Sequence, residues 1–480
     1  MPRHRAQLGG APRRTASLRA SLGGALPFAV PLALGLLLRL WFVHHDPVLT
    51  GDSLIYGAIA RNLLQHGVYG FSATAPTLIR LPGYPLFLAA CFRLFGIEHY
   101  YPVLYLQIVI DLLGCVLLSR LAGRLAPVQF RERAVRATLW LAALCPFNAP
   151  YTAAPLTETL ELFSVTAALF CFARAIGIGE TTVGLNRGWL WGATLAWIAA
   201  ALLRPDGALL GIVLCPALVV YGWHRGQTRR ALPLAAATAL ASLLAFAPWT
   251  LRNWHTFHVF EPLAPRYATD PGEPTNPGFQ RWTKTVCADL VCTAEVYWAA
   301  DDQSIGINEL PNRAFDTPAQ LRETADLLAD YNRRTTITPA LDGRFAALAN
   351  QRIAAHPLRY YGGLPLLRLA DMWFRPRVEL FNVDLRWWRY RSEGPDTVFA
   401  WAFAALNVGY LMLAVAGALR RPPLLGVFVA FVLLRCALLL TIEAPEPRYT
   451  LECYPVVFVL GGLPLARMRK ASPAALPNPH

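Results

Sequence analysis

Charge is what this sequence has least of. Asp, Glu, Lys and Arg make up 15% of its 480 residues against 55% hydrophobic residues, and the mean hydropathy is +0.37. Those values exclude a soluble domain of this length. No small-residue cleavage site follows the first apolar run, which excludes a removed signal peptide and leaves that run as an anchor. No nucleic-acid-binding motif accompanies the formal charge of +14. Inverted repeats and midplane helix breaks, the marks of a repeat-built transporter, are missing too. Little chain follows Lys470, so no separate C-terminal soluble domain is expected.

What is there is a series of apolar runs near the roughly 20 residues needed to cross a bilayer. They fall at 26–43, 101–119, 137–150, 152–173, 188–203, 207–222, 231–250, 397–419, 423–442 and 451–467. The expected fold is an all-α polytopic membrane bundle. Basic residues then set its orientation, because short cytoplasmic loops carry excess Lys and Arg. Arg3, Arg5, Arg13, Arg14 and Arg19, then Arg120 to Arg136, His224 to Arg230, Arg420-Arg421 and Arg467 to Lys470, all fall on one side only if Pro82 to Gly96 does not cross. That piece is therefore read as a surface helix. The resulting layout is a basic N-terminus (1–25), a first spanning helix (26–43), an outward loop with interfacial helices (44–100), spanning helices (101–250), a large outward segment (251–395), the last spanning helices (396–470) and a tail (471–480). The positive charge belongs to topology and anionic headgroups, not to nucleic acid.

Seven of the nine cysteines lie in apolar segments, where Cys acts as a small hydrophobe. Cys287 and Cys292 lie instead in the large outward segment, where an oxidising compartment lets them form a disulfide. Two thiolates without further partners fall short of the four ligands of a structural zinc site.

The first outward loop opens on Gly51-Asp52-Ser53. Leu54, Ile55, Ala58, Ile59, Leu63 and Leu64 then recur at helical spacing, with Arg61, Asn62, Gln65 and His66 on much of the other side, which predicts an interfacial helix. Asp52 stands near its N-terminus, where a carboxylate suits the helix dipole and can serve as an N-cap. Arg80 and Pro82-Gly83-Tyr84-Pro85 follow.

The set Asp52, Tyr56, Ala60, Leu63, Gly67, Arg80, Pro82 and PGYPLFLA resembles the first outward loop of the GT-C glycosyltransferases, in particular the family-39-like enzymes that include protein O-mannosyltransferases and the aminoarabinose transferases of lipid A. Leu156-Thr157-Glu158, Arg204-Pro205-Asp206-Gly207, Pro248-Trp249 with Arg252-Asn253, and Glu446-Pro447-Arg448-Tyr449 continue the resemblance in order. It covers most of the membrane part, and 260–395 only loosely. It implies a GT-C bundle of about 10–12 transmembrane helices and transfer of one sugar from a polyprenyl monophosphate to a glycan, lipid or protein acceptor, with inversion, at the outer face of a bacterial cytoplasmic membrane.

A sugar on a polyprenyl phosphate already has a good leaving group, so the protein must deprotonate the acceptor hydroxyl and hold the phosphate. Asp52, at the depth of a lipid phosphate and where the family places its catalytic acid residue, is the base candidate. Glu158, at the outer end of a spanning helix where a carboxylate is costly unless used or paired, is the second acidic candidate, with Glu161 one turn further in. Arg80 aligns with the family's phosphate-contacting basic residue, and its fork suits phosphate oxygens. Snorkelling to headgroups is its alternative. Arg448 and Arg252 invite the same comparison, with an ion pair to Glu443 or Glu446 as the competitor at Arg448. Tyr56, Tyr84, Tyr449 and Glu161 are assigned to the substrate cavity, and Arg204 with Asp206 to a structural turn.

His255 and His258 would share a helical face, yet two histidines make a weak metal signal. No obligatory metal or cofactor beyond the lipid-linked donor is expected. The Trp-Trp-Asp signature of metal-dependent oligosaccharyltransferases is absent, since Arg386-Trp387-Trp388-Arg389 lacks the acid. In the outward segment, helices are expected near 317–334 and 344–356, and a membrane-surface helix over 357–376. The competing functions are a polymerase or ligase using pyrophosphate-linked oligosaccharide, a lipid-sugar transporter, and a non-catalytic assembly subunit.

Overall fold

The computed structural model describes residues 14–180, 184–388 and 394–466. The sequence features at Arg3 to Arg13, Arg389 and Arg467 to Lys470, and the 471–480 tail, lie outside the described residues. Among the described residues there is no strand. In chain order the helices are α1 (Arg14–His45), α2 (Gly51–His66), α3 (Gly83–Phe95), α4 (Tyr100–Leu125), α5 (Arg131–Ala143), α6 (Glu158–Ala175), α7 (Arg187–Leu203), α8 (Ala208–His224), α9 (Thr228–Ala245), α10 (Ala247–Phe257), α11 (Pro277–Val286), the single turn α12 (Leu290–Cys292), α13 (Pro318–Asn332), α14 (Pro339–Ala355), α15 (Leu364–Phe374), α16 (Gly394–Ala418), α17 (Leu425–Leu439) and α18 (Tyr454–Leu465).

Among the described residues, five stretches are long and apolar enough to cross a membrane: Pro27–His45, Tyr100–Leu125, Pro205–His224, Thr228–Phe257 and Gly394–Ala418. This is a multi-pass membrane protein. The remaining apolar runs form the shorter helices α5, α6, α7, α17 and α18. α18 is buried continuously from Tyr454 to Pro464, the position that a helix apolar on every side must take. It packs on α16, α5 and α4 at the centre of the bundle.

Loops and ion pairs sort the helix ends into two faces. Arg124 and Arg174 both reach Glu180, at 3.1 and 3.0 Å, which ties the end of α4 to the end of α6. At the other face lie α2, α3 and the turn Pro447–Cys453 before α18. Within the bundle, Arg39 of α1 and Asp111 of α4 form a buried pair, Nε to Oδ2 at 2.6 Å, and Arg39 also donates to the carbonyls of Gly35 and Ala143. An unpaired charge at that depth would be costly.

α3 has only 13 residues, too few to cross a bilayer. Tyr84, Leu88, Cys91 and Phe92 face the protein, while Leu86, Leu94 and Phe95 are exposed. Gly83 lets the start of α3 meet the end of α7, because a Cβ there would lie 2.6 Å from the Leu202 carbonyl oxygen.

The N-cap of α2 is Thr50, not Asp52. Thr50 Oγ1 accepts from the Ser53 N–H, and Ser53 Oγ accepts from the Thr50 N–H, a reciprocal box that satisfies the helix start. Asp52 sits in the first turn with its carboxylate free for other partners. At the far end, Gly67 closes the helix in the left-handed conformation, φ 70°.

The large segment 251–395, expected to face outward and called the outward unit below, holds a folded core. Phe279, Trp282, Tyr331, Phe345 and Leu348 from α11, α13 and α14 form a separate core. The disulfide between Cys287 and Cys292 lies inside it. α14 begins five residues before the expected start near 344, because Thr338 caps it and Pro339 is pre-organised for the first helical position.

Candidate active site

Three chain segments far apart in sequence converge at the face that carries α2. Each oxygen of the Asp52 carboxylate meets a different guanidinium: Oδ1 accepts from Arg80 NH2 at 2.8 Å and Oδ2 from Arg448 NH2 at 3.0 Å. Burial pushes this carboxyl up, but Arg448 and Arg80 together outweigh burial and hold it below the ordinary carboxylate range. Arg80 also lies 5.9 Å from the ring centre of Tyr56. Burial raises the Tyr56 phenol to about 12, so it is a hydrogen-bond donor at neutral pH.

Arg448 is shared more widely. Its Nε lies 2.7 Å from Glu446 Oε2 and its NH1 3.5 Å from Glu158 Oε1. Tyr449 donates its hydroxyl to Glu446, and its ring lies 5.6 Å from Arg448 and 5.1 Å from Arg204. The in-loop pair weighed for Arg448 is thus present, to Glu446, alongside its contact with Asp52. Glu443 turns away to Lys284 at 3.0 Å.

A second layer lies behind. Arg204 is within 3.6 Å of Glu158, 3.2 Å of Glu161, 3.5 Å of Asp206 and 3.5 Å of Glu452. It pairs with Asp206 as the turn reading expected, and it also spans three carboxylates from α6 and the 447–453 turn. Arg435, deep in α17, holds Asp206 at 2.7 Å, pairs with Glu452 and donates to the Tyr449 carbonyl at 2.9 Å. The connected set holds six carboxylates, Asp52, Glu158, Glu161, Asp206, Glu446 and Glu452, against the four guanidiniums of Arg80, Arg204, Arg435 and Arg448. Among these, both oxygens of Glu161 are buried without a hydrogen-bond partner.

Sequence reasoning passed over Arg435 and Glu452. The signal for Arg435 was available: a lone arginine inside an apolar run is costly unless paired. Glu452 gives none, because it follows the motif and only the fold turns it inward.

Arg252 does not join this cluster. It donates to the carbonyls of Thr77 at 2.7 Å and Tyr69 at 3.0 Å, and it packs among the rings of Tyr69, Trp249 and Phe257. Its work is to hold the loop that ends at Arg80, whose carbonyl accepts from Tyr69 Oη at 2.9 Å. Tyr84 is also set back: it is fully buried, donates to Gln107 at 2.8 Å and stacks edge-on with Tyr56. Cys287 and Cys292 belong to the outward unit. His255 and His258 are both exposed, and His258 ends α10 in the left-handed conformation, so they do not share a helical face.

Chemically, this cluster offers an ionised, partly exposed carboxylate between two arginines, with a buried acidic layer behind it. Such a site can take a proton from a hydroxyl and can exchange carboxylate for phosphate on its arginines.

Compared with known proteins, the chain matches no family model and no curated protein. It is similar to solved structures of ArnT from Cupriavidus metallidurans. The apo form is 15% identical, with 93% of this chain and 77% of that chain covered and a TM-score of 0.41. The form bound to undecaprenyl phosphate is 16% identical over the same shares, with a TM-score of 0.39. The Archaeoglobus fulgidus oligosaccharyltransferase, tethered to an acceptor peptide containing the NVT sequon, is 12% identical, with 91% of this chain and 49% of that chain covered and a TM-score of 0.49.

Proposed function

We propose that this chain is a membrane glycosyltransferase of the GT-C type that moves one sugar from a polyprenyl monophosphate to an acceptor hydroxyl. The observation that carries this reading is the Asp52 carboxylate shared between Arg80 and Arg448, on segments 28 and 396 residues away in sequence. The ordered motifs around those residues support it.

The acceptor oxygen attacks C1 of the sugar as its proton passes to Asp52, and the C1–O bond breaks with its electron pair leaving on the phosphate. Attack opposite the leaving group inverts C1. Arg80 and Arg448 neutralise the charge that grows on the phosphate. Binding the donor engages the same two guanidiniums that depress Asp52, so it frees the carboxylate and strengthens it as a base. Glu158, in contact with Arg448, orients that guanidinium from the buried side. Tyr56 and Tyr449 supply rings beside these arginines. No obligatory metal is assigned. The acceptor is a glycan, lipid or protein on the outer side of a bacterial cytoplasmic membrane.

The test is Asp52→Asn, which keeps the shape and removes the base. The variant is expected to express and fold as wild type while transfer from a defined polyprenyl-phosphate sugar falls by about a hundredfold or more. Turnover at the wild-type rate would sink the assignment.

A further inference from the structure

The stretch after α14 has two unlike faces. Leu358 is 88% exposed, Tyr361 72%, Leu366 60%, Leu367 56% and Phe374 57%. Positions 366, 367, 370 and 374 recur at helical spacing, so Leu366, Leu367, Ala370 and Phe374 share one apolar face.

Every charge of the stretch points the other way, into the outward unit. Arg359 makes two bonds to the Asp316 carboxylate at 2.6 and 2.7 Å. Arg368, 1% exposed, donates to the carbonyls of Lys284 and Cys287 at 3.0 and 2.9 Å. Asp371 accepts from the Leu290 N–H at 3.2 Å, and Arg375 donates to the Leu385 carbonyl. A helix held to a bilayer by its headgroups would turn its arginines outward. Here they bolt the helix to the folded unit and leave hydrocarbon outside.

That face continues a surface already assigned to lipid. α15 packs against α16, a membrane-crossing helix whose first turns expose Val398, Phe399 and Trp401. The same stretch also holds the loop of Arg448. Thr450 Oγ1 donates to the Met372 carbonyl at 3.2 Å, and Asn407 Nδ2 to the Trp373 carbonyl at 2.7 Å. Just beyond α15, buried Arg377 donates to the Pro447 carbonyl at 2.8 Å, to Tyr454 Oη at 2.7 Å and to Thr450 Oγ1.

We propose that Leu358–Phe374 is a membrane-docking surface seated among the acyl chains of the leaflet on the active-site side, and that through it the bilayer positions the loop carrying Arg448. The docking stands on its own; the positioning rests on Arg448 as a phosphate ligand.

The experiment uses the whole protein in phosphatidylethanolamine and phosphatidylglycerol vesicles doped with a phospholipid that carries a photoactivatable diazirine in its acyl chain. Adducts are mapped by mass spectrometry, with Val398 to Trp401 as the internal standard. Adducts on the peptide around Leu366, Leu367 and Phe374 are expected. Labelling of Val398 to Trp401 with none on 358–374 would overturn the docking. In the same vesicles, the double variant Leu366→Glu with Leu367→Glu is expected to lose those adducts and to raise the KM for the lipid-linked donor about tenfold or more at a smaller change in kcat, the loss of one misplaced charge-assisted bond. An unchanged KM overturns the positioning. Absence of turnover by the wild-type protein strikes the proposed function instead and leaves the adduct map to decide the docking.

Discussion

At the scale of single residues, the arginines around Asp52 make a prediction about pH. Burial alone would raise this carboxyl, and Arg448 and Arg80 reverse the sign. A depressed carboxyl stabilises the folded state above the ordinary carboxylate value and loses that contribution as pH falls through its own lower value. For the reaction, the acid limb of kcat/KM should therefore lie below the ordinary carboxylate range, because that limb reports the free enzyme. Arg448→Gln removes the larger of the two attractions, so its acid limb should move to higher pH while kcat/KM falls. A pH profile of both proteins decides, and a limb that stays in place would remove Asp52 from the titration. Asp52, Arg80 and Arg448 were legible in the sequence because each stands in a short motif at a membrane exit. Arg252 was legible as a motif, but its place apart from the cluster was not: carbonyls from a loop about 180 residues away fill its fork, and no local pattern announces that.

At the scale of elements, hydropathy located the apolar runs, and the charge clusters read α3 as a surface helix, a reading its 13 residues agree with. What it missed was capping and close approach. The helix start needed Thr50 and Ser53 to be read as a reciprocal pair, which freed Asp52 from the capping role. The contact of α3 with α7 depends on Gly83, and Gly51 nearby offers the control. A Cβ at Gly83 would meet the Leu202 carbonyl oxygen at 2.6 Å and its carbon at 2.7 Å, both backbone atoms that cannot rotate away, whereas a Cβ at Gly51 would meet nothing within 4 Å. Gly83→Ala is expected to cost about 1–3 kcal/mol, as overpacking does, and to reduce transfer by displacing the segment of Arg80. Gly51→Ala should leave the melting temperature unchanged or slightly raised. Thermal unfolding of the two variants in the same detergent compares them directly, and equal melting points would show that the contact between α3 and α7 yields without strain.

At the scale of the whole molecule, the two polar faces of the bundle have different chemistry, and that difference predicts a topology. One face gathers Arg124, Arg131 and Arg174 around the 178–180 turn, where Arg124 donates to the Ile178 carbonyl and Arg131 to the Gly179 carbonyl. The other gathers Asp52, Arg80, Arg448 and the outward unit with its disulfide. Short basic loops stay in the cytoplasm and disulfides persist outside it, so both principles predict a cytoplasmic first face and an external second one. The turn at 225–227 and the start of α9 that follows it should then be cytoplasmic and α13 external. Arg229→Cys and Glu323→Cys place one exposed thiol on each. In intact cells an impermeant maleimide is expected to label Glu323→Cys at once and Arg229→Cys only after permeabilisation. The opposite pattern would turn the site toward the cytoplasm, and an outward acceptor would then be out of its reach.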